Sequence, residues 1–117
     1  STLVSSSAAS DVYKRQMTAH IVFSKIDKIN TVTHSKKAIK LIRSKIGFKN
    51  ILISDDLSMK SLKESIKNNT IKTFKAGCNL ALHCNGNLKE MEIVGKNSPY
   101  LDKFLQKKTS QFYKFLS

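Results

Sequence analysis

Short apolar runs alternate along the chain with stretches in which apolar residues recur every three or four positions. Three runs, at residues 18–23, 50–54 and 80–83, have the composition and polar boundaries of short buried strands. Helical spacing predicts helices over residues 35–46, 62–75, 88–94 and 101–115, and residues 55–59 a loop. Gly47 and Gly77 follow the last periodic residues of the first two helices and mark their ends. The second helix is expected to be broken around Asn68 and Asn69.

The alternation of strand and helix predicts an α/β fold with parallel strands joined by crossover helices. Three strands cannot close a β/α barrel, which needs eight. No complete doubly wound sheet is present either, so the pattern indicates a portion of a larger architecture.

The first sixteen residues differ in character from the rest. They are rich in serine and alanine, they lack periodicity, and residues 6–16 look like the in-frame translation of a transposase sequencing adapter. We therefore predict that residues 1–16 are a non-native segment, that residues 17–117 form the native part, and that coding sequence was cut upstream of Met17.

The composition changes this picture little. A chain of 117 residues with 40% hydrophobic residues suits one globular domain. The net charge of +13 invites a nucleic-acid-binding hypothesis. The lysines, however, are spread along two predicted helical faces and no aromatic motif accompanies them, so a solvated surface is the simpler interpretation and no nucleic-acid partner is expected. No apolar run approaches the roughly 20 residues of a membrane span, so no membrane contact is expected. Two cysteines provide no disulfide framework, which favours a cytoplasmic protein.

Polar side chains at the ends of predicted parallel strands are the candidates for chemistry. They are His20, the pair Asp55 and Asp56, and His83 with Cys84 and Asn85. From the local pattern alone, Ser54 or Asp55 could equally cap a helix. Adjacent aspartates cannot be the acid/base pair of a glycosidase, because such carboxyls face each other across a sugar, roughly 5 Å or more apart.

The histidines and cysteines can also be interpreted as purely structural residues. His20 could face a ligand pocket, or it could be a hydrogen-bonded internal histidine, and His34 is expected at the surface near a helix start. His83 with Cys78 and Cys84 has the spacing of no structural zinc site, so no metal and no cofactor are expected. The cysteines are interpreted as small buried residues.

Four blocks, in order, resemble one enzyme family: MTAHI at residues 17–21, LIRSKIGF at 41–48, ILISDDLSM at 51–59 and AGCNLALHCNG at 76–86. Together they look like the last three barrel units of bacterial β-N-acetylhexosaminidases of glycoside hydrolase family 3, of the peptidoglycan-recycling type. The resemblance implies a partial TIM barrel of about three carboxy-terminal β/α units. It also implies that Asp55 is the catalytic nucleophile, that Asp56 orients the loop or caps a helix, and that no metal is needed. His20 becomes a candidate substrate-binding residue, and Met59 a candidate neighbour of the sugar.

The family's acid/base histidine lies in a Lys-His-Phe/Ile-Pro-Gly-His segment, and this sequence has no such segment, its only proline being Pro99. The expectation is therefore a fragment that is inactive alone, cut from a monomeric cytoplasmic parent that releases terminal N-acetylglucosamine from β-linked muropeptides. The family's usual Asp-Gly before the second strand is replaced by Lys49-Asn50, and Asn79 replaces an aspartate. A basic nucleic-acid-binding module and a non-catalytic α/β interaction domain are the alternatives.

Overall fold

The computed structural model describes residues 15–116, without the side chains of residues 112, 113, 115 and 116. Its strands are β1, β2 and β3, and its α-helices are numbered α1 to α4. In chain order the elements are β1 (Arg15–Met17), a 3-10 turn (Val32–His34), α1 (Lys36–Leu41) continuing as a π-helix (Ile42–Ile46), β2 (Ile51–Asp56), α2 (Ile66–Ala76), β3 (Leu80–Leu82), α3 (Leu88–Asn97) and α4 (Lys103–Leu116).

The three strands form one parallel sheet in the order β1-β2-β3. Both connections between neighbouring strands carry a helix, as parallel pairing requires. The predicted α/β class with parallel strands is therefore confirmed. The buried core lies between the central strand and helices α1 and α2, and consists of Ile39, Phe48, Leu52, Ala76 and Cys78.

The first strand was expected at residues 18–23, and this prediction is wrong because the strand is Arg15–Met17. Only the N–H of Thr18 continues the ladder, donating to the backbone oxygen of Ile53 at 2.8 Å. The chain then leaves the sheet, so the apolar side chains of Ile21, Val22 and Phe23 are exposed. Arg15 and Gln16, which were assigned to the adapter-derived segment, pair with β2. Residues 1–14 lie outside the described part.

The central strand is longer than expected, running through Asp56 rather than ending at Ser54. Asp55 and Asp56 are therefore its last two residues and not part of the loop. Burial matches the expected buried strand at Ile51, Leu52 and Ser54. β3 differs from this expectation, since Leu80 is exposed while Ala81 and Leu82 are half-buried.

The expected break in the second helix is wrong. α2 begins after Ser65, whose hydroxyl accepts the N–H of Asn68, and it runs without interruption through Asn69. The buried amide of Asn69 donates to the backbone oxygen of Glu64, so the side chain closes the first turn instead of competing with the helix. α2 begins later than predicted, because residues 62–64 precede the cap, Ser65.

Glycine ends the first two helical segments as predicted. Gly47 follows the π-helix and Gly77 follows α2, both with positive φ. At Gly77 a side chain would also meet Ile39, since a Cβ there would lie 3.0 Å from Cγ2 of that residue. None of the helices in the described part of the chain is long and apolar enough to cross a membrane.

Arg43 links the amino ends of β2 and β3, at the end of the sheet opposite Asp55. Its guanidinium donates to the backbone oxygens of Phe48 and Asn50 and to Oδ1 of Asn79. The same Asn79 oxygen accepts the N–H of Leu52 at 2.9 Å. Asn79 therefore acts as an acceptor without carrying the charge that an aspartate would bring.

Candidate active site

The carboxyl end of the sheet brings together the polar residues that the sequence singled out. β2 ends at Asp56 and β3 at Leu82, and the two strands are parallel. The N–H of Leu57 donates to the backbone oxygen of Leu82 at 2.8 Å, which fixes the two strand ends side by side. Asp55 therefore lies on a rigid strand end between two neighbours.

Asp55 is half-buried, and its carboxylate accepts the N–H of the following residue, Asp56, through Oδ1 at 2.8 Å. An acceptor bond from the adjacent peptide orients the carboxylate without neutralising it. Among the described residues Oδ2 accepts no hydrogen bond, which leaves one oxygen for a reaction.

Asp56 has a different environment. Its Oδ1 accepts the N–H of Ser58 at 3.0 Å and the N–H of Cys84 at 3.0 Å, and both of its oxygens contact the Ser58 hydroxyl. Burial acts to raise the pKa of this carboxyl, but the donors of Ser58 and Cys84 outweigh burial and lower it. The predicted role of orienting the loop after β2 agrees with these contacts. No helix follows directly for Asp56 to cap.

His20 lies beside the same strand end. Its Nε2 is 2.8 Å from the backbone oxygen of Asp56, and its Nδ1 is 2.9 Å from Oγ1 of Thr33. Both ring nitrogens therefore have protein partners. The geometry favours the hydrogen-bonded internal histidine over a direct sugar contact, and the substrate-binding role stays a prediction.

A second histidine site lies after β3. His83 Nε2 contacts Glu90 Oε2 at 3.2 Å, and the Asn85 amide donates to the same oxygen. The Asn85 and His83 bonds lower the pKa of Glu90. The side chain of His83 is 6% exposed, and within the described residues its Nδ1 has no hydrogen-bond partner.

The other candidate residues do not form a shared site in the described part of the chain. Within residues 15–116, no group of three or more His, Cys, Asp or Glu side chains could hold a metal ion. Cys78 is buried, and burial raises the pKa of its thiol to about 11, whereas Cys84 is exposed, against the expectation that both are buried. His34 precedes α1 as expected but is half-buried rather than at the surface, because its Nε2 bonds to the backbone oxygen of Asn69. Met59 is exposed in the turn after β2, and its place near a sugar stays a prediction.

Several partners of the site were missed from the sequence. Ser58, Thr33 and Glu90 were not singled out, although each bonds a candidate residue. The spacing Asp-x-Ser is a signal for Ser58, since an aspartate commonly accepts from the residue two positions on. No local pattern could have paired Thr33 with His20, because this contact depends on how the chain returns after β1.

Four cavities of 400–540 Å³ are formed by described residues, and Asp55 lines none of them. The cavity of about 480 Å³ lies at the opposite edge of the sheet, lined by Arg43, Phe48, Gly77 and Asn79 among others.

Comparison with known proteins decides the family. The chain matches the glycosyl hydrolase family 3 N-terminal domain over residues 6–107, which is most of its length. It belongs to glycosyl hydrolase family 3. The family match begins inside the segment assigned to an adapter, so the start of native sequence at Met17 stays a prediction.

Relatives and solved structures of family 3 resemble the chain over only part of their length. A beta-hexosaminidase from Nitrosomonas eutropha is 34% identical over 71 residues, covering 59% of this chain and 20% of the relative. The solved beta-N-acetylglucosaminidase from Thermotoga maritima is 26% identical with a TM-score of 0.61, covering 91% of this chain and 26% of that one. The beta-N-acetylhexosaminidase from Beutenbergia cavernae shares the fold, with a TM-score of 0.69 at 21% identity and coverage of 87% and 33%. The chain spans 20–32% of the length of the curated relatives it matches.

Proposed function

We propose that this family 3 chain is part of a retaining β-N-acetylhexosaminidase and that Asp55 is its nucleophile. The observation that carries the assignment is the contrast between the two aspartates at the end of β2. Both oxygens of Asp56 are engaged by Ser58, and Cys84 adds a further donor, whereas among the described residues the Asp55 carboxylate accepts only from the N–H of Asp56. A nucleophile needs an ionised oxygen with free lone pairs.

The mechanism follows from one carboxylate at this position. Asp55 would attack the anomeric carbon and form a covalent glycosyl-enzyme, and the aglycone oxygen would leave with a proton from a general acid. Water would then hydrolyse the intermediate with net retention. Asp56 would hold the loop and would not react.

The sheet is proposed to be part of a β/α barrel. Sequential strand order with parallel pairing agrees with this, because successive strands of a β/α barrel are parallel neighbours. The functional groups of a barrel lie at the carboxyl ends of its strands, where Asp55 lies.

The proposed substrate is a glycan that ends in β-linked N-acetylglucosamine, in keeping with the names of the relatives. The finer proposal is a muropeptide handled during peptidoglycan recycling by a monomeric cytoplasmic enzyme. The absence of a disulfide between Cys78 and Cys84, which are both free thiols, supports the choice of a reducing compartment.

The general acid would have to come from outside these residues. Proton transfer by a positioned group contributes about 10²–10⁴-fold, and the sequence contains no Lys-His-Phe/Ile-Pro-Gly-His segment. We therefore expect the 117-residue chain alone to show no turnover.

The experiment is a hydrolysis assay on a chromogenic N-acetyl-β-glucosaminide, using the full-length protein recovered by extending the reading frame upstream. Asp55→Asn should lower turnover by about 10⁴-fold or more, and Asp56→Asn by far less. Asp102→Asn is the matched control, since Asp102 is an exposed helix cap and asparagine caps equally well. Equal loss in the Asp55 and Asp56 variants would reject the assignment, and Asp55-dependent turnover by the 117-residue chain would reject the need for a missing acid.

A further inference from the structure

Three side chains form a hydrogen-bond chain beside the carboxyl end of β2. Oγ1 of Thr18 lies 2.9 Å from Oγ1 of Thr33, which lies 2.9 Å from Nδ1 of His20. Nε2 of His20 then reaches the backbone oxygen of Asp56 at 2.8 Å. We call these three residues the Thr-His chain.

Hydrogen-bond chemistry fixes the direction of the Thr-His chain. A backbone carbonyl only accepts, so His20 must donate through Nε2–H. In the neutral ring Nδ1 is then an acceptor, and the Thr33 hydroxyl must donate to it. The Thr33 oxygen is left to accept, so the Thr18 hydroxyl is its donor. One tautomer of His20 satisfies every contact.

Burial makes the arrangement costly to break. Thr33 is 0% exposed and Thr18 is 5% exposed, so water cannot readily replace either hydroxyl. The backbone holds both residues, because the N–H of Thr18 bonds to Ile53 and the N–H of Thr33 bonds to the oxygen of Ala19. The Thr33 hydroxyl that contacts Nδ1 of His20 is therefore fixed in position, and it fixes the orientation of the ring.

Both ends of the Thr-His chain are hydrogen-bonded to β2, the strand that carries Asp55. Thr18 is bonded to Ile53 of β2 by its backbone, and His20 is bonded to Asp56 by its ring. On the opposite side, Leu57 is bonded to Leu82 of β3. The Asp56–Leu57 peptide, one residue beyond Asp55, is thus fixed from both neighbouring segments.

We propose that His20 is a positioning residue for the reaction at Asp55. By donating to the Asp56 carbonyl, His20 fixes the Asp56–Leu57 peptide, which is joined through the Asp56 Cα to the peptide whose N–H orients the Asp55 carboxylate. The inference rests on the proposed function, and it assigns His20 a role through Asp55 instead of a contact with the sugar. A displacement of about 1 Å at a reacting group can cost about 10²-fold in rate, so loss of this bond should lower kcat.

The kinetic test compares two substitutions of His20 in the full-length enzyme with the chromogenic N-acetyl-β-glucosaminide. Glutamine can place an amide N–H near the position of Nε2, whereas asparagine reaches only the position of Nδ1. His20→Gln should retain kcat within about tenfold and His20→Asn should lower it about 10²-fold, with KM nearly unchanged in both. A rise in KM at constant kcat would overturn the proposal and indicate a sugar contact.

A matched pair of threonine variants keeps the test valid if the histidine variants fail to fold. Thr33→Val removes the hydroxyl that supports the ring, while Thr70→Val removes an equally buried hydroxyl that bonds only within α2. Thr33→Val should lower kcat several-fold and Thr70→Val should not. Equal effects would show that buried hydroxyls act on stability alone and would overturn the role.

Long-range ¹H–¹⁵N NMR of the 117-residue chain tests the geometry without activity. His20 should show the Nε2–H tautomer, and a dominant Nδ1–H tautomer would overturn the proposal. If the full-length wild type shows no turnover while this tautomer is present, the glycosidase function and the role of His20 are both rejected, but the Thr-His chain itself stands.

Discussion

The carboxylate of Asp56 accepts the backbone N–H of Cys84 at 3.0 Å, which joins the residue that ends β2 to the loop that follows β3. Together with its bonds to Ser58, this contact makes Asp56 the structural member of the aspartate pair. Within the described part of the chain, the carboxylate of its neighbour Asp55 makes no such bond to the loop after β3.

Asp56→Ala should therefore lower the free energy of unfolding by about 1.5–3 kcal/mol, the usual worth of hydrogen bonds to a charged group. Asp55→Ala should lower it by less, because only the bond from the next peptide is lost. Urea unfolding of the 117-residue chain followed by circular dichroism measures both. A larger loss for Asp55→Ala would contradict the division of roles.

Acid should destabilise the fold through three carboxyls. Hydrogen bonds lower the pKa values of Asp27 and Glu90, and they outweigh burial at Asp56. A carboxyl whose pKa is lower in the folded state stabilises the fold when ionised, fully above the unfolded-state value of about 4, and this stabilisation is lost as the pH falls through the folded-state pKa. Unfolding free energies measured from pH 7 to pH 3 should fall below about pH 4. Asp56→Asn should make the decline shallower, and a decline parallel to that of the wild type would show that Asp56 is not one of its sources.

Arg43 should be a major stabilising residue at the amino end of the sheet. It makes three hydrogen bonds to Phe48, Asn50 and Asn79, and its guanidinium lies over the ring of Phe48 at 5.7 Å. Arg43→Ala removes all three of these donor contacts from a half-buried site and should cost about 2–4 kcal/mol. Lys45→Ala, an exposed position in the same π-helix, should stay within about 0.5 kcal/mol. Equal thermal unfolding midpoints for the two variants would show that the Arg43 contacts are dispensable.

The two glycines that end helical segments should respond differently to alanine. At Gly47 a Cβ meets nothing within 4 Å, so Gly47→Ala should cost only the left-handed backbone strain of about 1–2 kcal/mol. At Gly77 the φ of 118° and the 3.0 Å approach to Ile39 act together, so Gly77→Ala should cost clearly more. Denaturant titrations of both variants compare the costs, and a cost for Gly77→Ala no larger than that for Gly47→Ala would show that Ile39 moves aside freely.

The sequence predicted the parts of the fold that local chemistry determines. Gly47 and Gly77 end their helical segments because only glycine takes positive φ without strain, and the run before Asp55 is the buried central strand. The failures came where tertiary contacts override local preference. The sequence predicts a helix break at Asn69, but its side-chain amide donates to the backbone oxygen of Glu64 and the helix continues. Residues 21–23 have strand propensity, but no strand in the described part of the chain pairs with them.

The candidate site was likewise predicted only in part from the sequence. Asp55 could be found because it follows the apolar run of residues 50–54 within a motif that resembles family 3. The distinct role of Asp56 could be proposed from the motif, but the contact with Cys84 that supports it spans 28 positions. The link between His20 and Thr33 likewise depends on the course of the chain after β1, which no periodicity describes.

Covalent trapping tests the central claim, that Asp55 is the nucleophile, most directly. The full-length protein would be incubated with a fluorinated N-acetylglucosaminyl donor that carries a good leaving group, so that the glycosyl-enzyme accumulates. Mass spectrometry of a digest should find the sugar on Asp55, and Asp55→Asn should abolish the adduct while Asp102→Asn should not. A sugar attached to Asp56, or turnover of the donor by Asp55→Asn at the wild-type rate, would contradict the account.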